Sequence, residues 1–124
     1  VSATDTVYRL EHAARPWSVN KRMHHMATAR LTAEWRQAFK ILALQAKVPH
    51  FTAVRIKVIP AAANGRWRQD VGACFPAAKA AIDGLVDAGV LDDDTPDQVV
   101  ELTFVPVRRR GVDALVIEIR EAVA

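Results

Sequence analysis

Apolar and polar residues alternate from Tyr8 to His12, the period of a short first strand. An irregular stretch is expected from Ala13 to about Arg30, containing Pro16, Asn20 and the adjacent His24 and His25. Leu31, Trp35, Ala38 and Leu42 then recur at helical spacing, with Thr32 as a cap and Pro49 beyond the end. Thr52 to Ile59 reads as the clearest strand, with Val54, Ile56 and Val58 on one face and Arg55 and Lys57 on the other. Pro60 is expected to close it. After a loop, a second helix is predicted from about Pro76 to Ala88, burying Ala78, Ile82, Leu85 and Val86, with Gly89 just past its end. Two more strands follow: Val99 to Val105, with Val100, Leu102 and Phe104 inward, and Ala114 to Arg120, with Leu115, Ile117 and Ile119 inward. Val107 to Asp113 is expected to join them as a hairpin.

This order, β-α-β-α-β-β, predicts one α/β domain of the two-layer α+β kind over residues 1–124, with a mixed four-stranded sheet and two helices on one face. Two helices of this size cannot cover both faces. Ala53, Ile59, Val99, Val105 and Val116 alternate onto the second face, so a second copy of the chain is expected to bury it.

Composition narrows the class. Hydrophobic residues make up 51% and charged ones 25% of the chain, which excludes a disordered tail, a collagen-like repeat and a coiled-coil rod. No apolar run is long enough to span a membrane and no signal peptide is visible, so the cytoplasm is the expected compartment. The single cysteine, Cys74, allows neither an intrachain disulfide nor a cysteine-based zinc cluster, and reads as a small buried apolar residue.

Charge changes the picture more. The net charge is +3, but residues 1–69 hold 12 Lys and Arg against 3 Asp and Glu, whereas residues 70–124 hold 5 against 11. Between Asp70 and Glu101 lie eight carboxylates and one cation, Lys79. A basic body suits a polyanion, because Lys and Arg displace counterions from phosphates. A dense acidic patch repels the same polyanion unless a divalent metal bridges the two. The plainer account is that these acids only keep the surface solvated.

Asp70 follows Arg66 and Arg68, Lys79 falls early in the second helix, and Asp92, Asp93 and Asp94 follow that helix. Carboxylates grouped with one lysine are what metal-assisted phosphodiester hydrolysis requires. Acids hold Mg²⁺, the metal activates water, and lysine steadies an oxygen. Against this, an acidic turn after a helix also serves as a solvated cap, and Lys79 with Asp83 makes an i,i+4 surface pair in the weaker orientation. Lys21, Arg22 and Arg30 surround the two histidines and could touch phosphates, as could Arg108, Arg109 and Arg110. His24 and His25 are expected to diverge, and His12 and His50 to stand alone. Trp35 reads as core, while Trp17 and Trp67 sit in basic loops and could pack on DNA. No nucleophilic serine or cysteine motif, P-loop or dinucleotide fingerprint is present.

Arg15-Pro-Trp-Ser-Val-Asn20, the strand VRIKVIP, the block RQDVGACFPAAKAAIDGLVDAGVLDDD and the closing QVVELTF resemble the RusA family of Holliday-junction resolvases, in the same order from Tyr8 to Glu121. The run Lys79-Ala-Ala-Ile-Asp-Gly-Leu85, followed by Ala-Gly and an Asp-Asp pair, carries the likeness most specifically, and Pro16-Trp-Ser-Val-Asn20 matches P-x-S-x-N. The resemblance implies a small homodimer, common in bacteriophages and prophages, that acts in DNA recombination and repair. Such an enzyme binds four-way junctions and nicks paired strands with Mg²⁺, for which Mn²⁺ can substitute. Carried over by residue, Asp70, Lys79 and Asp94 are catalytic, and Asp70, Asp94 and Asp93 bind metal. Arg15, Asn20, Lys21, Arg22, Arg30, Arg66 and Arg68 position DNA without reading sequence. Many members have D-x-D-N before the helix; here the stretch is Asp70-Val-Gly-Ala73 and the Asp-to-Lys spacing is three residues longer. It looks more like a phage variant, D-x-x-N-x-x-P-x-x-K, in which Asp70, Pro76 and Lys79 match and Ala73 stands where Asn would be, so one ligand is missing or replaced, with Asp93, Asp97 and Glu101 as candidates. A cleavage-deficient branched-DNA-binding protein on the same fold is the alternative that Gly72 and Ala73 motivate. A third reading is a two-layer domain unconnected with nucleic acid.

Overall fold

The computed structural model describes residues 6–19, 22–63 and 69–122. Along these run β1 (Val7–His12), α1 (His25–Gln45), β2 (Val54–Ala62), α2 (Phe75–Asp87), β3 (Val99–Phe104), β4 (Arg108–Arg109) and β5 (Ala114–Glu121). The sheet runs β1-β5-β2-β3, with β4 paired to the end of β2. β3 and β4 lie parallel to β2, and β5 is antiparallel to both β1 and β2. The architecture is thus α+β with two helices and a mixed, open sheet, but of five strands rather than four.

Chirality places the helices. β1-α1-β2 and β2-α2-β3 both connect strands that run the same way, and both step in the same direction across the sheet. Such crossovers are right-handed, so both helices must lie on one face. Between them and the sheet sits the core: Trp35, Phe39 and Ala43 of α1, Ala77, Ala78, Ala81 and Leu85 of α2, and Val54, Ile56, Val58, Leu115, Ile117 and Ile119 of the strands. Gly84 is where the helices touch. A Cβ there would meet the Arg36 carbonyl oxygen at 2.4 Å, so only glycine lets α2 approach α1 this closely.

Several expectations are corrected. α1 begins at His25 rather than near Leu31, and His24, not Thr32, is its cap, its Nδ1 accepting the Met26 N–H at 3.2 Å. Most of residues 25–30 are exposed, so no apolar period announced these turns. The fully buried residues of α1 include Phe39 and Ala43, beside the expected stripe. Pro60 does not close β2, which continues to Ala62. On that edge of β2 the Val58 carbonyl takes the Val105 N–H and the Ala62 carbonyl takes the Arg110 N–H. Pro60 lies between them, at the gap where β3 has ended and β4 not begun, so its missing donor leaves no ladder bond unmade. Val100 is 47% exposed, not inward. Val54 pairs with Val99 and Arg55 with Glu101, leaving Val100 as the extra residue of a bulge, which turns Val99 to the same side as Leu102 and Phe104.

The Val107–Asp113 segment is not a hairpin between neighbours, because β2 separates β3 from β5. The chain instead extends the β3 edge as β4, turns at Gly111 and crosses the end of β2, where Asp113 Oδ1 accepts the Ala63 N–H at 2.8 Å. Nor is the helix-free face the apolar surface expected. Ile59 and Val116 on it are 2% and 0% exposed within the single chain, and Val99 packs with the core on the helix side. The rest of that face carries Arg55, Lys57, Glu101, Glu118 and Arg120, which line a groove. Among the described residues, no helix is long and apolar enough to cross a membrane.

Candidate active site

The segment before α2 is a tight turn. Ala73 N–H donates to the Asp70 carbonyl at 2.9 Å and Phe75 N–H to the Gly72 carbonyl at 3.1 Å. Gly72 has a φ of +85°, a left-handed conformation that favours glycine. The Pro16–Val19 stretch lies against this turn. Gln69 Nε2 donates to the Pro16 carbonyl at 2.7 Å and Val19 N–H to the Ala73 carbonyl at 2.9 Å. Two motif segments some fifty residues apart are thereby joined by hydrogen bonds.

Lys79 is the fifth residue of α2, and the Asp92–Asp94 run leaves the helix at its other end. Asp94 nonetheless reaches Lys79. The helix end is about 12 Å past Lys79 at the α-helical rise, a distance the next few residues can retrace. Gly89, at φ +84°, reverses the chain, and Val90 and Leu91 plug the core at 1% exposure each. Gln98 Oε1 then accepts the N–H groups of Asp92 and Asp93 at 2.9 and 3.1 Å, while Asp93 Oδ1 accepts the Asp94 N–H at 2.8 Å. These bonds aim the Asp94 carboxylate back along the helix onto the Lys79 ammonium. Asp83, one turn on from Lys79, accepts from the same ammonium at 2.7 Å.

The electrostatics follow from these contacts. Burial works against the charge on Lys79, but the hydrogen bonds it donates to the Asp83 and Asp94 carboxylates outweigh it and hold the ammonium above its ordinary pKa. The Lys79 hydrogen bond, opposed by partial burial, holds Asp94 below the usual carboxylate value. All three side chains keep more than a quarter of their surface exposed, so each pair adds at most about 1 kcal/mol to stability. This cluster does not hold the fold together.

The expected site is only partly brought together. Lys79 and Asp94 meet, with Asp93 tied to the Asp94 backbone. Asp70 is exposed and makes no side-chain hydrogen bond or ion pair among the described residues. Among those residues no three carboxylates, histidines or cysteines converge closely enough to hold a metal between them. The donors present suit a hard cation in kind. Mg²⁺ is commonly held by one or two carboxylates, with water and substrate phosphate completing its shell, and Asp94 with Asp93 offers such a pair. Gln98, which orients this loop, had no signal in the sequence pattern.

Arg15, Arg22 and Arg30 are exposed. Asn20, Lys21, Arg66, Trp67 and Arg68 lie outside the described residues. Trp17 is not a surface contact: it is 6% exposed and meets Trp35 edge-on at 5.4 Å. His12 is not isolated either, its ring lying 4.7 Å from Trp35, and burial lowers its pKa. His50 pairs with Asp92 at 3.1 Å. The rings of His24 and His25 do not diverge but lie 4.4 Å apart, because His24 stands outside the helix as its cap. Of the three arginines between β3 and β5, Arg108 and Arg109 form β4, and Arg110 pairs with Glu11 at 2.9 Å. Burial pushes the Cys74 thiol up to about 11, so it stays protonated and unreactive at neutral pH. No protein-family model and no curated protein matches the chain.

Proposed function

We propose that this chain is a RusA-like endonuclease that resolves four-way DNA junctions by Mg²⁺-dependent phosphodiester hydrolysis, in the cytoplasm of a bacterial or phage-infected cell. One observation supports this reading above the others. Lys79 and Asp94, fifteen residues apart and carried in from opposite ends of α2, are in hydrogen-bond contact. The resemblance names a helix lysine and a carboxylate of the following acidic run as catalytic, and these are the two side chains in contact.

In this reading Asp94 and Asp93 would hold the cation; Asp70, the further ligand the resemblance implies, is not brought to them among the described residues. When bound, the cation supplies a polarised water and offsets charge on the phosphate. Lys79, an ammonium at neutral pH, donates an N–H to a phosphate oxygen. Arg15, Arg22 and Arg30, with Asn20, Lys21, Arg66 and Arg68, hold the DNA backbone. Two copies acting together suit the two-fold symmetry of a junction; with Ile59 and Val116 already buried within one chain, the sheet face adds nothing to that expectation. Light scattering at tens of micromolar checks this, and a monomer mass would count against it.

The deciding experiment is a cleavage gel with a four-way junction and a matched linear duplex, with and without Mg²⁺ and then Mn²⁺. Metal-dependent nicking of the junction alone is expected. The left-handed Gly72, with Ala73 beside it, favours a second reading, a branched-DNA-binding protein that does not cleave. Junction-selective binding with no nicks under any metal would establish it in place of the first.

A further inference from the structure

The Lys79 ammonium is shared. It donates to Asp94, on a loop, and at 2.7 Å to Asp83, on its own helix. The two partners differ in what else is asked of them. Asp94 is the carboxylate that a cation or an incoming phosphate would disturb, and a lone pair turned to a cation no longer serves the lysine. Asp83 sits one helical turn from Lys79, a separation set by the backbone of α2 and unaffected by anything that happens to the loop. A lysine left without a partner would swing on its four-carbon stem. The pairing is poorly explained as helix stabilisation, since lysine on the N-terminal side is the weaker i,i+4 orientation. We propose that Asp83 is a positioning residue: it keeps the Lys79 ammonium in place whenever the Asp94 carboxylate is drawn away. The role rests on reading Lys79 and Asp94 as site residues, although the retention itself can be observed without any metal.

The test follows the Lys79 ammonium by NMR, where a hydrogen-bonded NH₃⁺ group exchanges slowly enough with water to be seen. Asp94→Asn should leave the Lys79 signal visible, because Asp83 still holds it. Asp83→Asn in the Asp94→Asn background should abolish it, and Asp83→Glu in that background should restore it. In the wild type the signal should also survive Mg²⁺ alone, and in Asp83→Asn it should vanish as Mg²⁺ is added. With a junction substrate, Asp83→Asn should lower kcat about tenfold with junction affinity unchanged. Loss of the Lys79 signal in Asp94→Asn alone, or its persistence in the double variant, would overturn the proposal. If the metal-free arms behave as stated but Mg²⁺ changes nothing and no junction is nicked, the nuclease reading fails while the role of Asp83 stands.

Discussion

The two sides of α2 make opposite demands on neighbouring residues. Inward, Ala77, Ala78, Ala80, Ala81, Gly84 and Leu85 are buried, and no atom can be added at Gly84 without striking the backbone of α1. Outward, Lys79 is partly wet and pairs both with Asp83 of its own helix and with Asp94 from a loop. Lys79 stands between Ala78 and Ala80, which are 0% and 1% exposed. One helix therefore carries a rigid packing surface and, a residue away, a charged cluster that contributes little to stability. The packing holds the cluster still. Altering the cluster is therefore expected to leave the fold intact.

The sharpest way to break this comparison is to remove a charge outside and a packing group inside. Asp94→Asn and Asp70→Asn should each lower metal-dependent junction cleavage at least about a hundredfold, since even the outer partners of a metal site cost ten- to a hundredfold. Junction binding should be retained or tightened, because a carboxylate that repels phosphate is gone. Urea titration of Asp94→Asn should show a stability change within about 1 kcal/mol. Loss of binding and stability together would mean that the outer side also supports the fold.

On the inner side, Leu85→Ala should cost about 3 kcal/mol by urea unfolding, for the reduced burial and the cavity left behind. Gly84→Ala, although it adds one methyl group, should cost about as much, because backbone at 2.4 Å cannot yield as a side chain can. A neutral Gly84→Ala would show that the helices are free to separate.

On the proposed function, a smaller effect tests whether the exposed arginines touch DNA. Charge reversal at Arg22 and Arg30 should weaken junction binding and flatten its salt dependence by about 0.9 in log–log slope for each phosphate no longer neutralised. An unchanged slope would show these arginines to be merely solvated.

The smallest expected effect lies at the end of β1, at the half-buried His12. Burial lowers the pKa of His12 below 6.5, so the unfolded chain takes up the proton first. The contribution of His12 is therefore complete above pH 6.5 and is lost as the pH falls through its lowered folded value. Thermal unfolding between pH 7.5 and 5 should show this decline, and His12→Phe should reduce it. An identical decline in that variant would assign the loss to other groups.

The strands facing the helices were legible in the alternation itself: Val54, Ile56 and Val58, and Leu115, Ile117 and Ile119, are all buried as the pattern predicts. α2 was legible from its punctuation, Pro76 at the start and Gly89 just past the end. Both signals are local, arising from periods and backbone preferences that a few adjacent residues express. The pairing of β5 with β2 rather than β3, the bulge at Val100 and the burial of Trp17 against Trp35 depend on residues far apart in the chain, and no local period reports them. The candidate site divides the same way. Lys79, Asp83 and Asp94 could be singled out by residue type and order, and Lys79 with Asp83 by helical spacing. That Asp94 meets Lys79 was decided only in three dimensions, by a left-handed glycine, two apolar residues plugging the core and the Gln98 side chain accepting two backbone N–H groups. Residue type supplies the charges, and the return path of the loop, set by packing and backbone hydrogen bonds, decides which of them meet.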